Sequence, residues 1–294
     1  MMTLCIVVWA FAFPFIRIGL DEGLSFINLT IMRFLSVCIT FGILLLFKSN
    51  IFSKLQKRDI LPIFLLGFFG VMVYHFGLNY GEQLVSPGAA SLIIATIPVY
   101  IIILAAIFLK ERISLVKLSG IILALGGVII ISILGTEEAT LEIEYLFAAF
   151  AVWIAALMGA IYTIIGKKLL VRYNALSLTI YAMLLGSIGL IPFLIISPSI
   201  ISEVAALSFN GWFAIIFLGV FSTVIGYLIW YIALEIKTAS ELSVYLYAIP
   251  VIATIISFFW FEEQITIFFL LGGILVIAGL ALVNIKNNKN KTKN

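Results

Sequence analysis

Eight stretches of this chain run for about 20 residues or more without one Lys, Arg, Asp or Glu: 60–81, 83–109, 118–136, 145–166, 173–202, 204–234, 242–261 and 264–285. About 20 predominantly apolar residues are what a helix needs to cross a bilayer. Two more stretches, 1–20 and 24–47, are each interrupted by a single arginine, Arg17 near the end of the first and Arg33 inside the second. One cation is tolerated in a packed bundle or by snorkelling. The sequence therefore predicts ten membrane spans, numbered 1 to 10 in chain order.

Composition agrees. Hydrophobic residues are 64% of the chain and charged residues 11%, against roughly 45–50% and about 25% in ordinary soluble domains. So much apolar surface needs lipid as its solvent, so the lipid bilayer is the first partner. A secreted disulfide scaffold, a disordered chain, a nucleic-acid binder and a cytosolic enzyme are all excluded. Cys5 and Cys38 lie in apolar runs, with no CxxC and no Cys/His cluster. They are expected to be inert buried thiols, and neither a metal site nor a cofactor site is legible.

The connections after odd-numbered spans carry Asp21 and Glu22, Glu82, Glu137, Glu138, Glu142 and Glu144, Glu203, and Glu262 and Glu263. Those after even-numbered spans, with the tail, carry 15 of the 17 Lys and Arg residues, all but Arg17 and Arg33. By the positive-inside rule, both termini are expected on the cytoplasmic side of the cytoplasmic membrane.

The chain also repeats itself at an offset of about 152 residues. Ser91 falls on Ser243, Pro98 on Pro250, Glu111 on Glu263, Gly120 on Gly272, Gly127 on Gly279 and Gly67 on Gly219, while an offset near 150 sets span 1 on span 6. Each half holds five spans, and five is odd, so the second half must be inverted. Corresponding connections carry opposite charge bias, as inversion requires. The predicted units are 1–136 and 145–285, followed by a basic cytoplasmic tail, 286–294. Inverted repeats are a hallmark of secondary transporters, whose solute sites lie near the midplane between the halves.

Five plus five spans, Arg33-Phe34 in span 2, small-residue runs leading to Pro98 and Pro250, a Glu after each of those spans, and Gly-rich spans 5 and 10 together resemble the drug/metabolite transporter superfamily. The likeness is to its ten-helix EamA-type members, and the stretch from Tyr74 to Ile93 is especially similar. Glu241 departs from the pattern, where a small residue is usual. The resemblance covers nearly the whole chain. It implies an all-α integral membrane protein, two inverted five-helix repeats around a central cavity lined mainly by spans 1, 3, 4, 6, 8 and 9. It further implies a small-molecule substrate and places Trp9, Tyr74 and Tyr162 on the cavity wall. The family spans amino acids, other metabolites and drugs, so the substrate stays open.

Polar residues inside a membrane call for an explanation. His75, Asn79 and Glu82 fall at i, i+4 and i+7 on span 3, and Tyr227 and Tyr231 form a stripe at the equivalent place on span 8. Both stripes are expected to face the cavity, with interhelical hydrogen bonding as the alternative. Ser91 and Pro98 share a face of span 4, and Ser243, Tyr247 and Pro250 a face of span 9. Each proline leaves the carbonyl four residues back, on Ile94 and Leu246, without its helical N–H, a feature that points to a binding site. Arg33 and Glu82 are expected to form a structural ion pair, with anion capture by Arg33 as the alternative. His75 is the only histidine, and a proton coupled through it is the bolder reading beside simple hydrogen bonding.

A membrane-embedded enzyme would need a convergent nucleophile, an acid/base pair or a metal set. One histidine, no HExxH, no GxSxG and no carboxylate pair inside a span give it no machinery. A non-transporting receptor or scaffold is the other rival. A secondary, non-ATP-driven transporter of a small organic metabolite, an amino acid or a drug-like solute, is the expectation carried forward.

Overall fold

The computed structural model describes residues 1–47, 53–109, 115–134 and 142–284, and among these every regular element is helical. The acidic residues Glu137 and Glu138, the basic Lys48, Lys110, Arg112 and Lys286, Glu111 and the tail 286–294 lie outside the described residues. Among the described residues, eight helical runs are long and apolar enough to cross a membrane: Met2–Asp21, Phe26–Phe47, Lys57–Gly81, Pro87–Phe108, Ile143–Leu169, Ala175–Ile196, Phe209–Ile236 and Ala239–Phe261. They are spans 1–4 and 6–9. Spans 5 and 10 are the helices Leu115–Leu134 and Ile267–Asn284, whose strongly apolar stretches, Leu118–Ile131 and Ile267–Gly279, are shorter.

Several boundaries differ from the sequence expectation, and those of spans 6 and 7 have a local cause. Span 7 ends at Ile196 rather than running to 202, because Pro198 turns the preceding residue away from the helical region. Span 6 is longer, Ile143–Leu169, taking Glu144 into its first turn and Lys167 and Lys168 into its last. Each charge then sits where the helix dipole favours it. Glu241 also finds a role, because its carboxylate accepts the Thr238 N–H at 3.4 Å while Thr238 Oγ1 accepts the Glu241 N–H at 3.2 Å. That is a capping box at the start of span 9.

Close contacts between spans fall in exchanged pairs. A Cβ on Gly127 would stand 2.6 Å from the Gly272 carbonyl oxygen, and one on Gly279 would stand 2.5 Å from that of Gly120. Gly120 corresponds to Gly272 and Gly127 to Gly279, so the second contact is the first with the halves swapped. Residue number rises along span 5 as it falls along span 10, so the two helices are antiparallel. An axis along the membrane normal would have left them parallel. The same exchange joins span 3 to span 7 at Gly67 and Gly186, and span 8 to span 2 at Gly219 and the Arg33 carbonyl.

Hydrogen bonds tie the connections at the two ends. At the acidic end, Glu203 accepts the Ser25 N–H at 2.9 Å, the Asn28 amide at 2.7 Å and the Ser199 hydroxyl at 2.7 Å. Glu22 accepts the Ser208 N–H at 2.9 Å. At the basic end, buried Asp59 accepts from Arg172 Nη2 at 2.6 Å and from the Tyr173 hydroxyl at 2.9 Å. Burial pushes the Glu203 carboxyl up, but the donors on Ser25, Asn28 and Ser199 outweigh it and hold the group below the ordinary glutamate range. The Ser208 hydroxyl and N–H do the same for Glu22. A depressed folded-state pKa contributes stability above the unfolded value and loses it as the pH falls through the folded one. Melting temperature is therefore expected to drop on acidification through the carboxylate range. Glu203→Gln should flatten that part of the profile, and an unchanged profile would remove Glu203 from the clasp.

Candidate functional site

Spans 1–4, 6, 8 and 9 surround a cavity that leaves about 70 Å³ for the centres of water-sized molecules. Its wall is mostly apolar and aromatic with a few polar groups, the usual make-up of a small-molecule site. Irregular backbone in several of these helices shapes it. Span 1 is interrupted at Phe11, between helices Met2–Ala10 and Ala12–Asp21, where Pro14 has no N–H for the Ala10 carbonyl. Span 4 breaks between Ile94 and Ile97, and span 9 tightens to a 3₁₀ turn over Val244–Tyr247. These breaks precede Pro98 and Pro250, and the residues four before each proline, Ile94 and Leu246, line the cavity.

Spans 3 and 8 each contain a π-helical segment, Phe68–Val73 and Phe217–Ile225. A π turn inserts one residue, widens the helix and re-aims the side chains that follow; such turns recur at functional sites. In span 8 the Ser222 carbonyl, within this segment, accepts the Trp9 indole N–H at 2.9 Å. Gly226 makes that approach workable, since a Cβ there would lie 3.1 Å from Trp9 Cδ1. Trp9 then packs against Tyr227 at 5.5 Å and Trp230 at 5.6 Å, and Tyr162 meets Tyr227 edge-on at 5.2 Å. These four rings are one continuous aromatic wall.

Of the residues singled out from sequence, Trp9, Tyr74, Ser91, Tyr162, Tyr227 and Arg33 line the cavity. His75, Asn79, Glu82, Pro98, Tyr231, Ser243, Tyr247 and Pro250 do not. On span 3 the wall is made by Gly70, Tyr74 and Leu78, a stripe one residue away from the polar one. One residue is about 100° of helix rotation. His75, fully buried, lies against Phe34 and Tyr74, and its Nδ1 is 3.0 Å from the Val71 carbonyl. A carbonyl only accepts, so Nδ1 carries a hydrogen. Asn79 donates to Thr30 Oγ1 at 2.8 Å, tying span 3 to span 2. Tyr231 stacks on Tyr162 at 5.1 Å behind the wall. Ser243 bonds the Ser240 carbonyl as Ser91 bonds that of Gly88, at 3.0 and 2.6 Å.

Arg33 and Glu82 form no ion pair. Arg33 turns to span 8, donating from Nε to Thr223 Oγ1 at 2.8 Å and from Nη2 to Ser222 Oγ at 3.2 Å. Glu82 is buried at the acidic end, with neither carboxyl oxygen hydrogen-bonded. Close by, Glu263 accepts the Ser86 hydroxyl and, at 3.1 Å, the Gly88 N–H, which joins the end of span 9 to the start of span 4. Trp230, Ser222 and Thr223 were not picked out from sequence. Two adjacent hydroxyls in a charge-free span, and a Trp three residues after Tyr227, were the available signals.

A model of the EamA-like transporter family matches residues 1–133 and again 146–285. The chain belongs to the EamA-like transporter family. Among its relatives is a protein of Archaeoglobus fulgidus described as an uncharacterized transporter, 39% identical over 282 residues and covering 96% of each chain. Another is the Bacillus subtilis uncharacterized transporter YdfC, 34% identical over 98% of this chain and 90% of its own. A probable terminal-alkyne amino-acid exporter of Streptantibioticus cattleyicolor is 33% identical over 96% of this chain and 92% of its own. A solved crystal structure, 16% identical, superposes over 96% of this chain and 94% of its own with a TM-score of 0.66, a likeness of fold. EamA-like membership and these relatives make the chain a multi-pass membrane transporter.

Proposed function

We propose that the chain is a secondary transporter that moves a small organic metabolite across the cytoplasmic membrane by alternating access, without ATP hydrolysis and without enzymatic turnover. The observation that carries this is the cavity, walled by spans of both halves and bounded by the two proline-broken helices, the arrangement alternating access uses. The halves 1–136 and 145–285 would rock against each other, with both termini and the tail 286–294 in the cytoplasm. The solute would touch Trp9, Tyr74, Ser91, Tyr162 and Tyr227. His75, Asn79, Tyr231 and the span 9 residues Ser243, Tyr247 and Pro250 would hold the wall from behind. An amino acid is the favoured solute class, since one relative is named an amino-acid exporter. A proton through His75 is the coupling ion of the bolder reading, and the buried Glu82, with neither carboxyl oxygen hydrogen-bonded, is a second group that supports it.

Reconstituted vesicles loaded by incubation with a metabolite extract test this reading by mass spectrometry against protein-free vesicles. At least one solute is expected to accumulate only with the protein, and an identical solute profile would sink the transport reading. Trp9→Ala removes the centre of the aromatic wall and should cut that accumulation by at least about tenfold, as loss of a buried Trp anchor does. Trp212→Ala, at an exposed position, should leave it unchanged.

A further inference from the structure

Arg33 is 2% exposed, lines the central cavity and is the one cationic residue among the described residues that does so. Its Nε and Nη2 donate to the hydroxyls of Thr223 and Ser222, both neutral acceptors on span 8. Nη1 has no hydrogen-bond partner, and among the described residues no carboxylate is within ion-pair distance of the guanidinium. Arginine stays charged under all ordinary conditions, and a charge buried in a membrane is almost always paired.

A guanidinium presents two edges to an anion. The edge formed by Nε and Nη2 is filled by the paired hydroxyls of the π segment. The other, formed by Nη1 and the second hydrogen of Nη2, is buried with no partner on Nη1, and its two parallel N–H bonds match the two oxygens of a carboxylate. Ser222 and Thr223 therefore do not neutralise Arg33; they fix its orientation.

We propose that the Nη1/Nη2 edge of Arg33, buried and with Nη1 unpartnered, is the anion subsite of the cavity, and that the solute carried is a monocarboxylate whose apolar part lies against Trp9, Tyr162, Tyr227 and Trp230. This rests on the transporter reading above. One cation balances one carboxylate, whereas a doubly charged phosphate would need a second positive group. Acceptors also lie along the same wall, on the hydroxyls of Ser91 and Thr163, whose hydrogens go to the carbonyls of Gly88 and Gly159. They suit a solute whose second polar group is a donor, as in an α-amino acid.

Purified full-length protein in neutral detergent is titrated with L-leucine, L-phenylalanine and phenylacetate, and with the carboxamide of each. Melting temperature and tryptophan fluorescence are followed, since Trp9 and Trp230 line the cavity. At least one acid is expected to raise the melting temperature and shift the fluorescence, its amide binding at least about tenfold more weakly. Arg33→Lys keeps the charge but loses the fork and should weaken the acid by roughly tenfold to hundredfold. Arg33→Gln should abolish acid binding; if that variant fails to fold, the acid/amide pairs and Arg33→Lys carry the test. Equal binding of acid and amide, no response to any of the three acids, or an equal response to inorganic phosphate or phosphatidylglycerol would overturn the subsite. Arg33-dependent acid binding without any flux in vesicles would overturn the transport reading and keep the subsite. Flux that ignores the carboxylate would do the reverse.

Discussion

Gly67→Val is expected to prevent the bundle from closing, whereas Gly42→Val, in span 2, is expected to be tolerated. Gly67 and Gly186 are the crossing point of spans 3 and 7, and a Cβ on Gly67 would lie 2.7 Å from the Gly186 backbone nitrogen and Cα. Non-bonded carbons rest about 3.5–4.0 Å apart, and here the obstacle is backbone, with no rotamer to yield. Membrane helices have no hydrophobic drive to associate and depend on this kind of close packing by small residues. Overpacking a core costs about 1–3 kcal/mol and more against backbone. A fall in melting temperature on the order of 5–10 °C, or loss of the monodisperse species on size-exclusion chromatography, is the expected result. Nothing lies within 4 Å of a Cβ on Gly42. Equal behaviour of the two variants would mean that spans 3 and 7 do not cross at these glycines.

An all-or-none effect is expected in the labelling of single cysteines placed on the two faces. In a background with Cys5 and Cys38 replaced, Lys54→Cys and Ala206→Cys each put a thiol at an exposed position, the first between spans 2 and 3 and the second between spans 7 and 8. The basic connections lie on the side of Lys54, the acidic ones on the side of Ala206. In sealed right-side-out vesicles an impermeant maleimide should therefore label Ala206→Cys fully and Lys54→Cys only after the bilayer is breached. An odd number of helix crossings separates these two positions, so labelling of both from one side would refute the ten-span topology. Full labelling of Lys54→Cys alone would invert the proposed orientation and leave the span count standing.

Much of this architecture is written in local features of the sequence. Apolar runs near bilayer length are bounded by charges because an unpaired backbone or a free charge is intolerable in hydrocarbon, so the spans announce themselves. Loop charge follows the membrane face, and the offset between Gly120 and Gly272 or Pro98 and Pro250 follows from the duplication of a five-span unit. The exchanged glycine contacts at spans 5 and 10 then follow from that duplication.

The tertiary structure alone decided which side of each helix meets the cavity. Polarity marks a side chain that needs a partner, and in a membrane that partner is as often a neighbouring helix as a solute. His75 found the Val71 carbonyl and Asn79 found Thr30, so the polar stripe of span 3 faces its neighbours, and Gly70, Tyr74 and Leu78 form the wall. The π segments add a residue to the turn, so a fixed 3.6-residue period cannot be carried through spans 3 and 8. Arg33 was visible from the start as a charge inside a span. That it is gripped by Ser222 and Thr223, 189 and 190 residues away, and not by Glu82, depends on helix rotation and packing, which local sequence pattern does not specify.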